Sequence, residues 1–257
     1  MLVHSLNRGH FLVNTSHSPV LMSLSIMCLG EGIIMILKGG FSSIMFLPFF
    51  LNLLILIKDQ LSMGSEGQVG KDTNWRYLIS FYWFVAAEAL AFLSLISSWF
   101  FKCFWMTQMK MVINLNGIGL PSPLGLGLMN SALLLSSSAT ITYAHHSFMA
   151  GEMNIAKSYL DFTLLLGVVF LGVQWVEFST SNMNISNGFS GSLLFSSLGF
   201  HGLHVLVGVV LLLISYKFIL RGTMTSKSHC LFKSSIIYWH FVDVVWVFVY
   251  CSYYLLF

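Results

Sequence analysis

Charge is what this sequence has least of. Lys, Arg, Asp and Glu make up 8% of its 257 residues, against about 25% in a soluble domain. So thin a supply cannot dress an ordinary water-facing surface, and the mean hydropathy of +0.82 says the same. The net charge of +3 is spread over few residues, which argues against nucleic acid as a partner. Cysteine is scarce too. The four present include no CxxC pair, so a disulfide scaffold and a zinc ribbon are both disfavoured. Cys28, Cys103 and Cys251 lie in or beside apolar runs and read as small hydrophobes. The first residues carry His4, Arg8, His10 and His17 but no cleavable signal pattern. No internal repeat and no separate soluble domain is visible.

Long apolar runs are what the chain has instead. A membrane-spanning helix needs about 20 mostly apolar residues. Seven runs qualify, near 19–37, 41–57, 77–101, 124–147, 158–178, 191–216 and 234–256. The sequence therefore predicts an all-α membrane protein with seven transmembrane helices. Lys38-Gly39-Gly40 makes a tight hairpin of the first two spans. Gly64, Gly67 and Gly70 break the polar stretch from Lys58 to Arg76, and Pro121 and Pro123 end the one from Lys102. Gly151 to Lys157, Ser179 to Gly191 and Arg221 to Lys233 are the remaining connections. Residues 1–60 form an N-terminal part with spans one and two, and 61–257 a five-helix part.

Seven spans place Arg8, Lys58, Lys71, Arg76, Lys157, Lys217, Arg221, Lys227 and Lys233 on one side. Only Lys38, Lys102 and Lys110 fall on the other. The positive-inside rule then puts the N-terminus inside and the C-terminus outside.

Ionisable groups within the spans carry most of the functional signal, because each is costly in hydrocarbon and normally faces protein or water. In the seventh span, Trp239, Asp243, Trp246 and Tyr250 share a stripe at 100° per residue, with His240 at its edge. That stripe should dock against other helices. In the third span Glu88 shares a face with Tyr77, Phe81, Phe84, Phe92 and Trp99. It reads either as a protonatable or lipid-linked carboxyl or as a neutral acid bonded to a neighbouring helix.

The fourth span aligns Ser131, Ser138, Thr142 and His145, next to His146. Small hydroxyl residues in that arrangement let membrane helices approach closely. Gln174 and Glu177, at i and i+3, are neighbours at the end of the fifth. His201, His204 and Gly208 share a face of the sixth, and Gly208 leaves room for a neighbouring backbone. His201 with His204, and His240 with Asp243, are each one turn apart and could place metal ligands on one face. Hydrogen bonding between helices accounts for them more economically. Glu31, between two glycines of the first span, should meet a polar partner on a helix, another chain or a lipid headgroup.

Four passages resemble subunit III of the haem–copper cytochrome c oxidases. They are Ile141-Thr-Tyr-Ala-His-His-Ser147, Ile185-Ser-Asn-Gly-Phe-Ser-Gly-Ser192, Gly199-Phe-His-Gly-Leu-His-Val205 with Gly208, and Tyr238-Trp-His-Phe-Val-Asp-Val-Val-Trp246 with Tyr250. The Glu88 context and the Gln174 and Glu177 pair fit the family as well. The sequence departs from it after the third span, at Glu31, and at Lys233, where an acidic residue would be usual.

The resemblance implies a two-helix hairpin and a five-helix bundle separated by a V-shaped cleft filled with phospholipid of the phosphatidylethanolamine, phosphatidylglycerol or cardiolipin class. It implies a chain without a redox centre of its own, packed on the catalytic subunit I that holds the haems and copper, among other oxidase subunits. Glu88 would be the buried carboxyl near those lipids. Glu66, Arg76, Lys217, Arg221 and His229 would be headgroup contacts. The complex would reduce oxygen with electrons from cytochrome c, and this chain would support proton uptake. Heavy use of Leu, Phe, Ser and Met points to the mitochondrial inner membrane, with the N-terminus in the matrix and the C-terminus in the intermembrane space. The alternatives from other classes are a seven-helix transporter or receptor working alone and a haem-bearing membrane oxidoreductase. A transporter should show broken helices or inverted repeats, and neither is visible.

Overall fold

The fold comes from a computed structural model that describes residues 71–108, 124–181, 188–224 and 229–255, with a few helical residues between Val20 and Leu51. The chain forms two compact units, Met1–Asn74 and Trp75–Phe257. In the first, the described residues Val20, Leu24, Met27, Glu31, Leu47 and Leu51 are helical and exposed. Most of the first two predicted spans, and Glu66, lie outside the described residues.

Five helices follow: α1 Lys71–Gln108, α2 Leu126–Ala150, α3 Met153–Thr180, α4 Gly188–Leu220 and α5 Cys230–Tyr250. They are the predicted third to seventh spans, each extended by a few residues at one or both ends. Four of them, α1, α3, α4 and α5, are long and apolar enough to cross a membrane. α2 falls short on composition, because Ser131, Ser136, Ser137, Ser138, Thr140, Thr142, His145 and His146 dilute its apolar residues.

Two turns explain where helices stop. Gly151 sits at φ 88°, in the left-handed region glycine tolerates. Its N–H bonds the Phe148 carbonyl at 3.2 Å, and the Glu152 N–H bonds that of Ser147 at 3.0 Å. This paired capping ends α2, and α3 begins two residues later. The predicted loop up to Lys157 is therefore mostly helix. Gly222, at φ 67°, ends α4 in the same way, bonding Ile219 while Thr223 bonds Phe218.

α2 packs on α3, α3 on α4, α4 on α5, and α5 returns to α2. α1 leans on the outside of this ring through aromatic contacts. Phe92 meets Phe200 at 4.9 Å between ring centroids, and Trp99 meets Tyr253 at 4.7 Å. Burial follows the arrangement: 6% of α1's apolar window is buried, but 56% of that of α5 and its extension. The seventh-span stripe is thus the centre of the bundle. Trp239 and Trp246 are fully buried, Asp243 is 4% exposed and Tyr250 8%.

Trp239 is held from several sides. A methyl group added at Gly167 of α3 would meet its ring at 2.7 Å, and one at Gly208 of α4 at 3.0 Å. Its indole N–H donates to the Ser137 hydroxyl of α2 at 2.9 Å. One side chain therefore touches three helices. Gly208 accommodates an indole face, where the sequence suggested a backbone.

After Tyr250 the helix widens into a π turn, Cys251–Leu255. Such turns often mark functional positions. Here the turn ties together three other helices. Trp99 of α1 donates to the Ser252 carbonyl at 3.0 Å, Tyr253 bonds Ser197 of α4 at 2.7 Å, and Tyr254 donates to Glu177 of α3 at 2.8 Å.

Candidate functional site: polar centres within the bundle

Glu88 and His204 form the first centre. Glu88 Oε2 lies 3.1 Å from His204 Nε2, with the side chains 26% and 10% exposed. The other imidazole nitrogen, Nδ1, lies 2.7 Å from the Phe200 carbonyl and donates to it. Nε2 can then only accept a proton from a neutral Glu88 or carry one itself toward a carboxylate. Either way the pair shares one proton and is neutral overall, which lowers the cost of holding it in hydrocarbon. Phe92, Phe200, Tyr238 and Phe241 surround the imidazole, with centroids 4.5 to 6.4 Å away.

His201, one turn earlier, has a different fate. It is fully buried, and neither ring nitrogen has a hydrogen-bond partner among the described residues. Its ring lies 5.0 Å from Trp246 and 5.7 Å from Phe170. Packing holds it, where the sequence suggested a hydrogen bond.

The second centre joins α2 to α5. His240 Nδ1 is 2.9 Å from the Ser138 hydroxyl, and Nε2 is 3.4 Å from that of Thr142. Asp243 Oδ2 is 3.9 Å from His240 Nδ1. Trp246 adds a bond to Ser131 at 3.0 Å. His145, on the same face of α2, meets His229 at 3.4 Å between the rings of Phe148 and Phe232. Every residue of the predicted small-polar face of α2 thus reaches α5 or the residue that precedes it. His146 points away, exposed, into a groove with Ser138, Thr142 and Tyr143.

The third centre lies at the other end of the bundle. Gln174 and Glu177 take separate partners despite their spacing. Asn130 of α2 donates to Gln174 at 3.1 Å, and Tyr254 donates to Glu177. Sequence reasoning passed over Asn130 and Tyr254. The signal for Asn130 was present, since an amide inside an apolar run meets the same cost that singled out Gln174.

Arg76, Lys217 and Arg221 are exposed near helix ends, whereas His229 is buried against His145. Lys102 bonds the Ser190 hydroxyl, linking α1 to the start of α4. Among the described residues no three His, Cys, Asp or Glu side chains converge as a metal-binding cluster.

This architecture defines a class: an integral membrane helical bundle whose buried polar side chains are used mainly to join one helix to another. Comparison with known proteins gives the family. The family description "Cytochrome c oxidase subunit III" matches residues 8–256, and the chain belongs to that family. Cytochrome c oxidase subunit 3 of Neurospora crassa is 41% identical over 177 residues, 66% of this chain and 64% of that protein. Its counterpart in Rattus norvegicus is 32% identical over 267 residues, 98% of each. That of Triticum aestivum is 31% identical over 265 residues, again 98% of each.

Proposed function

We propose that this chain is a non-catalytic core subunit of a mitochondrial cytochrome c oxidase. In this reading it stabilises the haem–copper subunit I, binds structural phospholipid and supports proton uptake while the complex reduces oxygen. The haems and copper belong to partner subunits. One observation carries the structural role: hydrogen-bonding side chains in the membrane are spent on helix–helix contacts, including Glu88–His204, Asn130–Gln174, Ser138–His240 and Glu177–Tyr254. A bundle pinned in this way offers a fixed outer surface, and α1, which is mostly exposed, supplies much of it.

Glu88 would sit beside bound lipid, with Arg76, Lys217 and Arg221 near headgroups. The seven-span count belongs to this reading and rests on the apolar runs of the sequence; the separate two-helix hairpin of residues 1–60 and the lipid-filled cleft belong to it too and rest on the resemblance. The inner-membrane location follows from the oxidase family and the membrane-length helices, and the N-terminus in the matrix with the C-terminus in the intermembrane space rests on the excess of basic residues on one side.

The test is to isolate the chain in its native assembly under mild detergent. Subunit I should co-purify, the visible spectrum should show haem, and lipid extraction should return phospholipid. Arg221→Ala with Lys217→Ala should lower the retained lipid. A chain that migrates alone, or one that carries haem after its partners are removed, would overturn the proposal.

A further inference from the structure

The third polar centre carries an arithmetic that the helix contacts do not complete. Asn130, Gln174 and Glu177 are 0%, 2% and 8% exposed. Asn130 Nδ2 donates to Gln174 Oε1 at 3.1 Å. Glu177 Oε1 accepts from Tyr254 at 2.8 Å. Three buried atoms remain without partners among the described residues: Asn130 Oδ1, Gln174 Nε2 and Glu177 Oε2. The Asn130 oxygen accepts, the amide nitrogen donates, and the Glu177 oxygen accepts as a carboxylate or donates as a carboxylic acid. Turning both amides over exchanges which atoms bond but leaves one N–H group and one carbonyl over.

The three side chains belong to one neighbourhood. The two amides touch, and Glu177 is one turn of α3 beyond Gln174. Tyr254 closes it from the side of the π turn. A methyl group added at Gly127, on the face of α2 that carries Asn130, would meet the Tyr254 ring at 2.7 Å and that of Tyr250 at 3.3 Å.

We propose that Asn130, Gln174 and Glu177 bind a single structural water, which links α2 to α3 behind Tyr254. Water, with two protons and two lone pairs, matches what is left over: a proton for the Asn130 oxygen, a lone pair for the Gln174 N–H, and one of either kind for the Glu177 oxygen. Buried waters typically make about three such bonds. A metal cation has no lone pair for the N–H, an anion has no proton for the Asn130 oxygen, and an acyl chain has neither. The site extends the Glu177–Tyr254 contact into a chain running from α2 through the water and α3 to the end of α5. It does not depend on which oxidase subunits surround the protein.

The experiment is a map of the intact oxidase at a resolution that shows ordered water. One spherical peak within about 2.7–3.2 Å of all three atoms is the expected result. A direct bond from Gln174 Nε2 to Glu177 Oε2 with no peak overturns the proposal. So does a peak with oxygen ligands at about 2.3–2.6 Å, which would be a cation. A second map, of the Gln174→Leu complex, should lose the peak while Tyr254 stays bonded to Glu177. An unchanged peak there also overturns it. If that variant fails to assemble, the wild-type map decides alone.

Discussion

Gly167→Ala tests the packing around Trp239 with a single methyl group. The new Cβ would lie 2.7 Å from Trp239 Cη2 and 3.1 Å from Val209 Cγ2. Neither neighbour can simply withdraw. Trp239 is fully buried, its ring also lies against Gly208, and its N–H is bonded to Ser137. Overpacking of this type costs about 1–3 kcal/mol, or about 5- to 150-fold in the folding equilibrium. The control is Gly172→Ala on the same helix, where nothing lies within 4 Å of the added carbon. There alanine should stabilise the helix by about 0.5–1 kcal/mol. The two substitutions add the same atom to the same helix, so their difference isolates the indole.

The assay is thermal dissociation of the purified complex, read as the fraction of this chain still bound at each temperature. Gly167→Ala should lower the midpoint and Gly172→Ala should hold or raise it. Combining Gly167→Ala with Trp239→Phe, which removes the atoms in conflict, should cost less than the sum of the two singles. Equal midpoints for the two alanine variants would refute the account of Trp239 as a fixed wedge.

Three further outcomes are expected. Glu88→Gln keeps a donor for His204 Nε2 and should cost under about 1 kcal/mol, whereas Glu88→Leu strands the imidazole and should cost about 1–3 kcal/mol; thermal melts of the complex compare them, and equal losses would mean the proton itself matters. Asn130→Leu should destabilise by about 1–3 kcal/mol by leaving Gln174 Oε1 bare, and Asn130→Leu with Gln174→Leu by less than the sum of the singles; a double-mutant cycle on the same melt gives the coupling. Tyr253→Phe removes the bond to Ser197 and should cost about 0.5–1.5 kcal/mol, measured as faster proteolysis at the end of α5; an unchanged rate would mean the π turn is held without it.

Angular position around each helix was legible in the sequence. The burial of Trp239, Asp243, Trp246 and Tyr250 follows from 100° per residue, and so does the convergence of Ser131, Ser138, Thr142 and His145 on one neighbour. Partner identity was not legible. Gln174 and Glu177 are adjacent on α3, yet one meets an amide of α2 and the other a phenol from the end of α5. Periodicity fixes the direction a side chain leaves its own helix and says nothing about what arrives from the next one. His201 and His204 show the same limit, since a single turn separates a ring held by aromatic faces from one sharing a proton with Glu88. The π turn was also invisible, because the composition of Cys251–Leu255 continues that of α5 and only the tethers to Trp99, Ser197 and Glu177 distinguish it.

The two-residue link at Gly151 has a bearing on biogenesis. α2 is diluted by hydroxyls and imidazoles and falls short of the apolar composition of the other four helices, its neighbour α3 included. Joined so closely, the two helices have to move as one hairpin. A longer tether there would uncouple them, and α2 would lose the more apolar companion it now travels with.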